Sequence, residues 1–402
     1  MRTYGELFRS PEFTPLFATS AFQVAATTVS GLALSTLVYA ATGSPLLAAL
    51  SMFGQSLVQM IGAVTLLSAA DRIPPRAATA GLALASAAGT AALAVPGLPG
   101  WAGVAVVVAL GLVASVGGGV RYGLLSEILP ADGYLIGRSV LNMTTGTMQI
   151  CGFAAGAGLL AVLSPRGTLL AGAALHLTAA LVARLRLARR PPRAAGRPSV
   201  AQTWRANGLL LSSPSRRRVY LAMWVPNGLI VGCESLFVPY TPRNAGLLLA
   251  FAALGMLAGD TVMGRFATPS WRSRLGPRPY LLLAVPYLLF ALDPGLPLAL
   301  AAVTIASAGF SGTLLLQERL LSLTPETMRG QALGLQSSGM LTMQGVSAAL
   351  AGTIAQHTSP GTAMAVLAAV SVAVTLSLAP GLRPVRAAPP VPEPPAPQQA
   401  SR

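Results

Sequence analysis

Apolar stretches separated only by short breaks of Arg, Pro and Gly follow one another through almost the whole chain, and no other feature restricts the fold as strongly. A hydrocarbon layer about 30 Å thick takes roughly 20 apolar residues to cross as a helix, and inside it only helices or closed barrels satisfy every backbone polar group. The breaks divide the chain into predicted helical spans over 14–40, 45–70, 77–97, 101–125, 138–163, 168–188, 218–240, 243–265, 279–293, 296–317, 330–356 and 361–381. Leu281 to Leu292 carries the weakest signal. With 9% of 402 residues charged and 53% hydrophobic, a soluble multidomain protein is excluded. The solvent for most of this chain is lipid.

The formal net charge of +16 would point to nucleic acid in a soluble protein. Here every one of the 27 basic residues is Arg, and they fall between apolar runs without aromatic interleaving. The charge therefore speaks of topology and not of nucleic acid. The absence of Lys, with heavy Ala, Gly and Pro usage, is the bias of GC-rich coding and suggests a bacterial source. With the N-terminus inside, 25 arginines lie on the cytoplasmic side and only Arg166 and Arg243 lie outside. That asymmetry satisfies the positive-inside rule for an even number of spans, with both termini cytoplasmic in a plasma-membrane protein.

Five segments are expected: a cytoplasmic amphipathic lead (1–13), a six-helix half (14–188), a central cytoplasmic loop (189–217), a second six-helix half (218–382) and a disordered Pro-rich tail (383–402). Within the central loop, Trp204 to Leu211 suits either a short interfacial helix or a solvated linker. The halves carry an internal repeat. A shift of 195 residues places Pro130 on Pro325, Thr147-Met148-Gln149 on Thr342-Met343-Gln344 and Ser164-Pro165 on Ser359-Pro360; a shift of 201 places Gly31 on Gly232 and Tyr39 on Tyr240. Equivalent spans run in the same direction, as repeats related by an axis along the membrane normal require.

This 6+6 layout resembles the major facilitator superfamily over residues 14–381. The loop Asp71-Arg72-Ile73-Pro74-Pro75-Arg76 is similar to that superfamily's cytoplasmic signature, with Pro74 where glycine is usual and one later basic residue, Arg76, kept. The second half repeats the spacing in Asp260 and Arg265. The resemblance implies that Asp71, Arg72, Arg76, Asp260 and Arg265 form a cytoplasmic gate; charge that merely sets topology is the plain alternative. Proton-coupled exporters of the superfamily also carry a Gly-Pro step in span 5. Here Gly146, Gly152, Gly156 and Gly158 are present, but Phe153 or Ala157 stands at the proline, and small residues four apart also serve close helix packing.

An ionisable group inside the membrane costs roughly 2.5 to 3.5 kcal/mol at mid-helix on insertion scales, so each asks for an explanation. Glu234 lies well inside span 7 with no arginine predicted at its depth, which suits a group that binds and releases a proton. Pro226 makes that span bendable. Arg121, at the cytoplasmic end of span 4, is a second coupling candidate by the resemblance, or it snorkels to the interface. Gln23, Gln55, Gln59, Gln149, Asn227, Tyr240 and Gln344 are candidates to line a substrate cavity, with interhelical hydrogen bonding as the alternative. His176 reads as a packed polar residue, and His357 lies near the outer surface. Neither these nor Cys151 and Cys233 form a metal or disulfide pattern, and no cofactor is expected.

Without Lys there is no P-loop, so energy should come from an ion gradient. The expected protein is an all-helical secondary transporter of twelve spans, acting as a monomer and exporting small amphipathic compounds in exchange for protons. A proton-coupled importer is the nearest alternative. A membrane-embedded enzyme acting on lipid is the rival from another class, with Glu127 and Asp132 beside Pro130 as its closest approach to an acid pair.

Overall fold

A computed structural model of the chain describes residues 4–66, 73–192, 200–263, 278–325 and 328–382. Among these residues every regular element is a helix: α1 (Tyr4–Arg9), α2 (Phe13–Thr42), α3 (Pro45–Leu66), α4 (Pro75–Leu93), α5 (Gly100–Ile128), α6 (Ala131–Val162), α7 (Pro165–Arg186) and α8 (Val200–Ser212). There follow α9 (Pro214–Glu234), α10 (Phe237–Tyr240), α11 (Ala245–Thr261), α12 (Arg278–Ala284), α13 (Leu296–Ala308), α14 (Gly312–Ser322), α15 (Arg329–His357) and α16 (Pro360–Leu378). Among the described residues seven helices are long and apolar enough to cross a membrane, counting α9–α10 and α13–α14 as one each, against the twelve spans expected. Ala245–Thr261 and Arg278–Leu292 are shorter apolar helices. The remaining predicted spans are α3, α4 and α15, of 22, 19 and 29 residues.

Prolines account for the interruptions. Pro239 cannot donate an amide hydrogen bond, and its ring crowds the carbonyl four residues back, that of Ser235. Predicted span 7 accordingly breaks at Ser235-Leu236, between α9 and α10. It also starts at Pro214, before the expected residue 218, because Pro at the first helical position loses nothing. Pro286 has the same effect in the weakest predicted span, where α12 passes into a 3₁₀ turn over Val285–Leu292. The central segment contains α8, so Trp204 to Leu211 is helical. Arg216 fastens α8 by donating to the carbonyls of Leu209 (2.7 Å), Leu210 (3.0 Å) and Leu323 (3.2 Å).

The repeat reappears as structure. Ser164 and Ser359 cap α7 and α16 alike, their hydroxyls accepting from the amides of Gly167 (3.2 Å) and Thr362 (3.1 Å), with Pro165 and Pro360 next in each. Tyr39 and Tyr240 each donate to a backbone carbonyl, of Pro239 (3.4 Å) and Pro294 (3.2 Å).

Helices α2 to α7 pack on one another, and α9 to α16 do likewise. The two sets meet along α3–α15 and α6–α11. Hydrogen bonds between them, Tyr39 to Pro239 and Gln356 to Ser44 (3.3 Å), lie at the end of the bundle away from the chain termini. At that end Gly352 of α15 lies directly on α3, where an added Cβ would sit 2.5 Å from the Leu46 Cα. Nearer the termini, Glu12 accepts from Arg190 (2.5 and 2.9 Å) and from the Ala188 amide (3.2 Å), and Arg190 also lies 3.5 Å from Glu127. Burial pushes the Glu12 carboxyl up, but the Arg190 hydrogen bonds, the Ala188 amide and the Arg190 charge together outweigh it and hold the group below the usual glutamate range.

The two sets differ inside. The second has one continuous core that includes Tyr220, Phe237, Tyr287 and Phe290, the last three stacked at 5.6–6.4 Å between ring centres. In the first set the buried apolar residues fall into smaller clusters, one of them joining Leu7 and Phe13 to Leu124, Leu125 and Leu141. Cavities occupy the gaps.

Candidate functional site: a polar cavity system in the first helix set

Polar residues interrupt the apolar faces of α2 at one-turn intervals, Gln23, Thr27 and Ser30, and of α3 at Gln55 and Gln59. Folding turns these rows toward α4, α5 and α7. A cavity of about 180 Å³ is lined by Thr27, Ser30, Gln55, Gln59, Ser86, Thr90 and His176. A second, of about 280 Å³, is lined by Gln23, Thr27, Ser86, Arg121, Thr145, Gln149 and His176. Both take in Thr27, Ser86, Ala114 and His176, so they adjoin. A smaller space of about 20 Å³ continues from Gln23 and Arg121 toward Thr19 and Thr79.

Four polar atoms on these walls are buried and have no hydrogen-bond partner among the described residues: Thr19 Oγ1, Ser30 Oγ, Arg121 Nε and His176 Nδ1. His176 is 6% exposed. An unsatisfied buried donor or acceptor costs about 1–3 kcal/mol, so a concentration of four in adjoining cavities marks a place built to receive polar atoms. Room for Ser30 comes from Gly172 of α7, where a Cβ would clash with the Ser30 hydroxyl. Arg121 lies against the Tyr122 ring, 4.9 Å to its centre, with Nη2 3.5 Å from the phenolic oxygen. Among the described residues no carboxylate pairs with Arg121.

The predicted cavity residues thus divide. Gln23, Gln55, Gln59, Gln149 and Arg121 come together; Asn227, Tyr240 and Gln344 belong to the second set and line none of these three cavities. Asn227 is 3% exposed with its amide nitrogen unpartnered. Tyr240 spends its hydroxyl on Pro294 and stands edge-on to Phe290 at 5.2 Å, on the wall of a separate cavity with Thr241 and Asp293. Glu234 closes α9, half-buried and without a hydrogen-bond or ion-pair partner among the described residues. The Tyr287 hydroxyl, within its electrostatic reach, is also buried and unpartnered. Glu234 lines none of the three cavities of the first set.

Of the expected gate, Asp71, Arg72 and Arg265 lie outside the described residues. Arg76 stands in the first turn of α4 and Asp260 in the last turn of α11; each has a buried, unpartnered side-chain atom, Arg76 Nε and Asp260 Oδ1. Sequence reasoning undervalued His176 and passed over Thr27, Ser30, Ser86 and Thr90. The signal for the α2 residues was their one-turn spacing after Gln23.

No family model and no curated protein matches the chain. Solved structures do. A POT family transporter in complex with 5-aminolevulinic acid superposes with a TM-score of 0.73 at 12% identity, over 92% of this chain and 96% of that one. The fold is that of major facilitator-type transporters. A bacterial homolog of the human lysosomal transporter Spinster, inward-facing and unoccupied, gives a TM-score of 0.67 at 14% identity over 94% and 92% of the two chains. A variant of the nucleoside transporter NupG gives 0.66 at 14% identity over 91% and 99%. With its long apolar helices, the chain is a multi-pass membrane protein.

Proposed function

We propose that this chain is a secondary active transporter of the major facilitator type, with twelve spans in two six-helix halves and both termini in the cytoplasm. It carries small amphipathic compounds out of the cell in exchange for protons, by rocking the halves about a central cavity. The observation that supports this best is that, among the described residues, the hydrogen bonds between the two helix sets, Tyr39 to Pro239 and Gln356 to Ser44, lie away from the termini, while the polar cavities lie in the first set. Given the arginine asymmetry, the end with these hydrogen bonds faces outward. The smaller apolar helices complete the twelve: α11, α12 with its 3₁₀ turn, and α3, α4 and α15, which are rich in Gly, Ser, Thr or Gln.

Glu234 is the proton-coupling residue in this reading. It is a half-buried acid at the end of α9 with no counter-charge among the described residues, within electrostatic reach of the unpartnered Tyr287 hydroxyl. The gate reading keeps Arg76 and Asp260 at the helix ends facing the termini.

The test is drug accumulation in a pump-deficient bacterium expressing the intact chain or Glu234→Gln at matched membrane levels, with and without collapse of the proton gradient. Lower accumulation that requires both the gradient and Glu234 is expected. Higher accumulation of a solute would replace export by uptake, and unchanged accumulation after Glu234→Gln would remove Glu234 from coupling.

A further inference from the structure

We propose that the adjoining cavities of the first helix set bind a small amphipathic organic anion, with its carboxylate on Arg121 and His176. As a substrate class this rests on the transporter reading; as a binding site it stands alone.

The charge census decides the sign. Among the described residues no Asp or Glu lines any of the three cavities, and Arg121 is the one permanently charged side chain on their walls. A cationic solute would meet an uncompensated guanidinium in a medium of low dielectric, where like charges repel several-fold more strongly than in water. Arg121 has no carboxylate of the protein to satisfy it among the described residues. Tyr122 stacks on the guanidinium and leaves the Nε edge buried without an acceptor. A planar guanidinium whose Nε lacks an acceptor can pair with the two oxygens of a carboxylate.

His176 supplies the second, independent observation. Nine-tenths buried on α7, it contributes to the same cavity wall as Arg121, and its Nδ1 has no partner. A neutral imidazole offers one N–H donor and can present it at either nitrogen. The Gln23 and Gln149 amides flank the same space.

The remainder of the wall sets the other end of the ligand. Val113, Leu82 and Ala114 face the larger cavity, and Leu34, Leu93 and Leu110 face the smaller. These apolar stretches of the walls, set between the Thr, Ser and Gln side chains, suit the apolar body of an amphipathic ligand. At about 280 Å³ the larger cavity is near the lower limit for small-molecule sites, so the anion is small.

Equilibrium dialysis of the full chain in lipid nanodiscs tests this, with empty nanodiscs as the partition control. The probes are radiolabelled benzoate, phenylacetate and indole-3-acetate, each beside its uncharged amide. Saturable binding of at least one acid is expected, at least about 10-fold tighter than its amide, as loss of a charge-assisted hydrogen bond implies. Arg121→Gln should weaken it by about 10-fold or more and Arg121→Lys by less, both variants remaining monodisperse. His176→Gln should weaken acid binding while leaving the amide unchanged. No saturable binding of any of the three acids, equal binding of acid and amide, or full affinity in monodisperse Arg121→Gln would overturn the site. Solute-driven proton movement in liposomes with cationic compounds alone would overturn it too while leaving the transporter reading intact. Acid binding without transport would keep the site and end that reading.

Discussion

Replacing Gly352 by Ala should force the two helix sets apart at the end where they join. An added Cβ would sit 2.5 Å from the Leu46 Cα and 3.1 Å from its nitrogen. The first distance falls short of the 3.4 Å of ordinary contact by about 0.9 Å, and both obstacles are backbone, which cannot rotate away. Overpacking of this kind costs about 1–3 kcal/mol. If α15 leaves α3 in the alternate state, that cost falls on one conformation and shifts the balance by about 5- to 150-fold. Spin labels at Ala41→Cys and Thr358→Cys, with Cys151 and Cys233 replaced, report the separation at this end. The distance distribution should gain a longer population in Gly352→Ala. Gly334→Ala is the control, since the same helix has open space there. Identical distributions in the parent protein and Gly352→Ala, with the variant folded, would refute the idea that this contact holds one state closed.

Other expectations follow from the helix ends and the second core. Ser359→Ala and Ser164→Ala should each lower stability by about 1 kcal/mol through loss of a cap, read as a fall in the midpoint of thermal unfolding in detergent. Phe290→Ala should cost about 3–5 kcal/mol by emptying the stack with Phe237 and Tyr287, and a loss under 1 kcal/mol would show that the core collapses around it. For Glu12, whose folded carboxyl lies below the unfolded glutamate range, the stabilising contribution is complete above that range and is lost as pH falls through the lower folded value. Glu12→Gln should therefore flatten the acid limb of a stability profile while leaving its slope above pH 6 unchanged.

Much of the membrane architecture was legible because lipid imposes a simple code. Apolar runs of the right length had to be helices, and the Ser-Pro pairs at 164–165 and 359–360 marked two equivalent starts. The interruptions were written in Pro239 and Pro286, yet the apolar runs passed smoothly across both residues and masked them. The cavity system was only half legible. Gln23, Gln55, Gln59 and Gln149 stand out as polar residues in apolar runs, whereas Thr27, Ser30 and Ser86 blend into them. His176 is single on its helix, and only the packing of α7 against α2 and α4 brings it to the cavity that Arg121 also lines. Such convergence is a property of tertiary structure and leaves no spacing in one segment. Tyr240 shows the reverse, a polar group in a span whose hydroxyl is already committed to Pro294.

The central claim is that this chain couples solute movement to protons across a membrane, and reconstitution tests it most directly. Purified protein in liposomes enclosing a pH-sensitive dye would be given a solute panel of organic acids and lipophilic drugs under an imposed proton gradient. The account predicts solute-dependent proton movement that disappears in Glu234→Gln. Proton leak identical to empty liposomes across the whole panel, from protein shown to be folded and inserted, would contradict it.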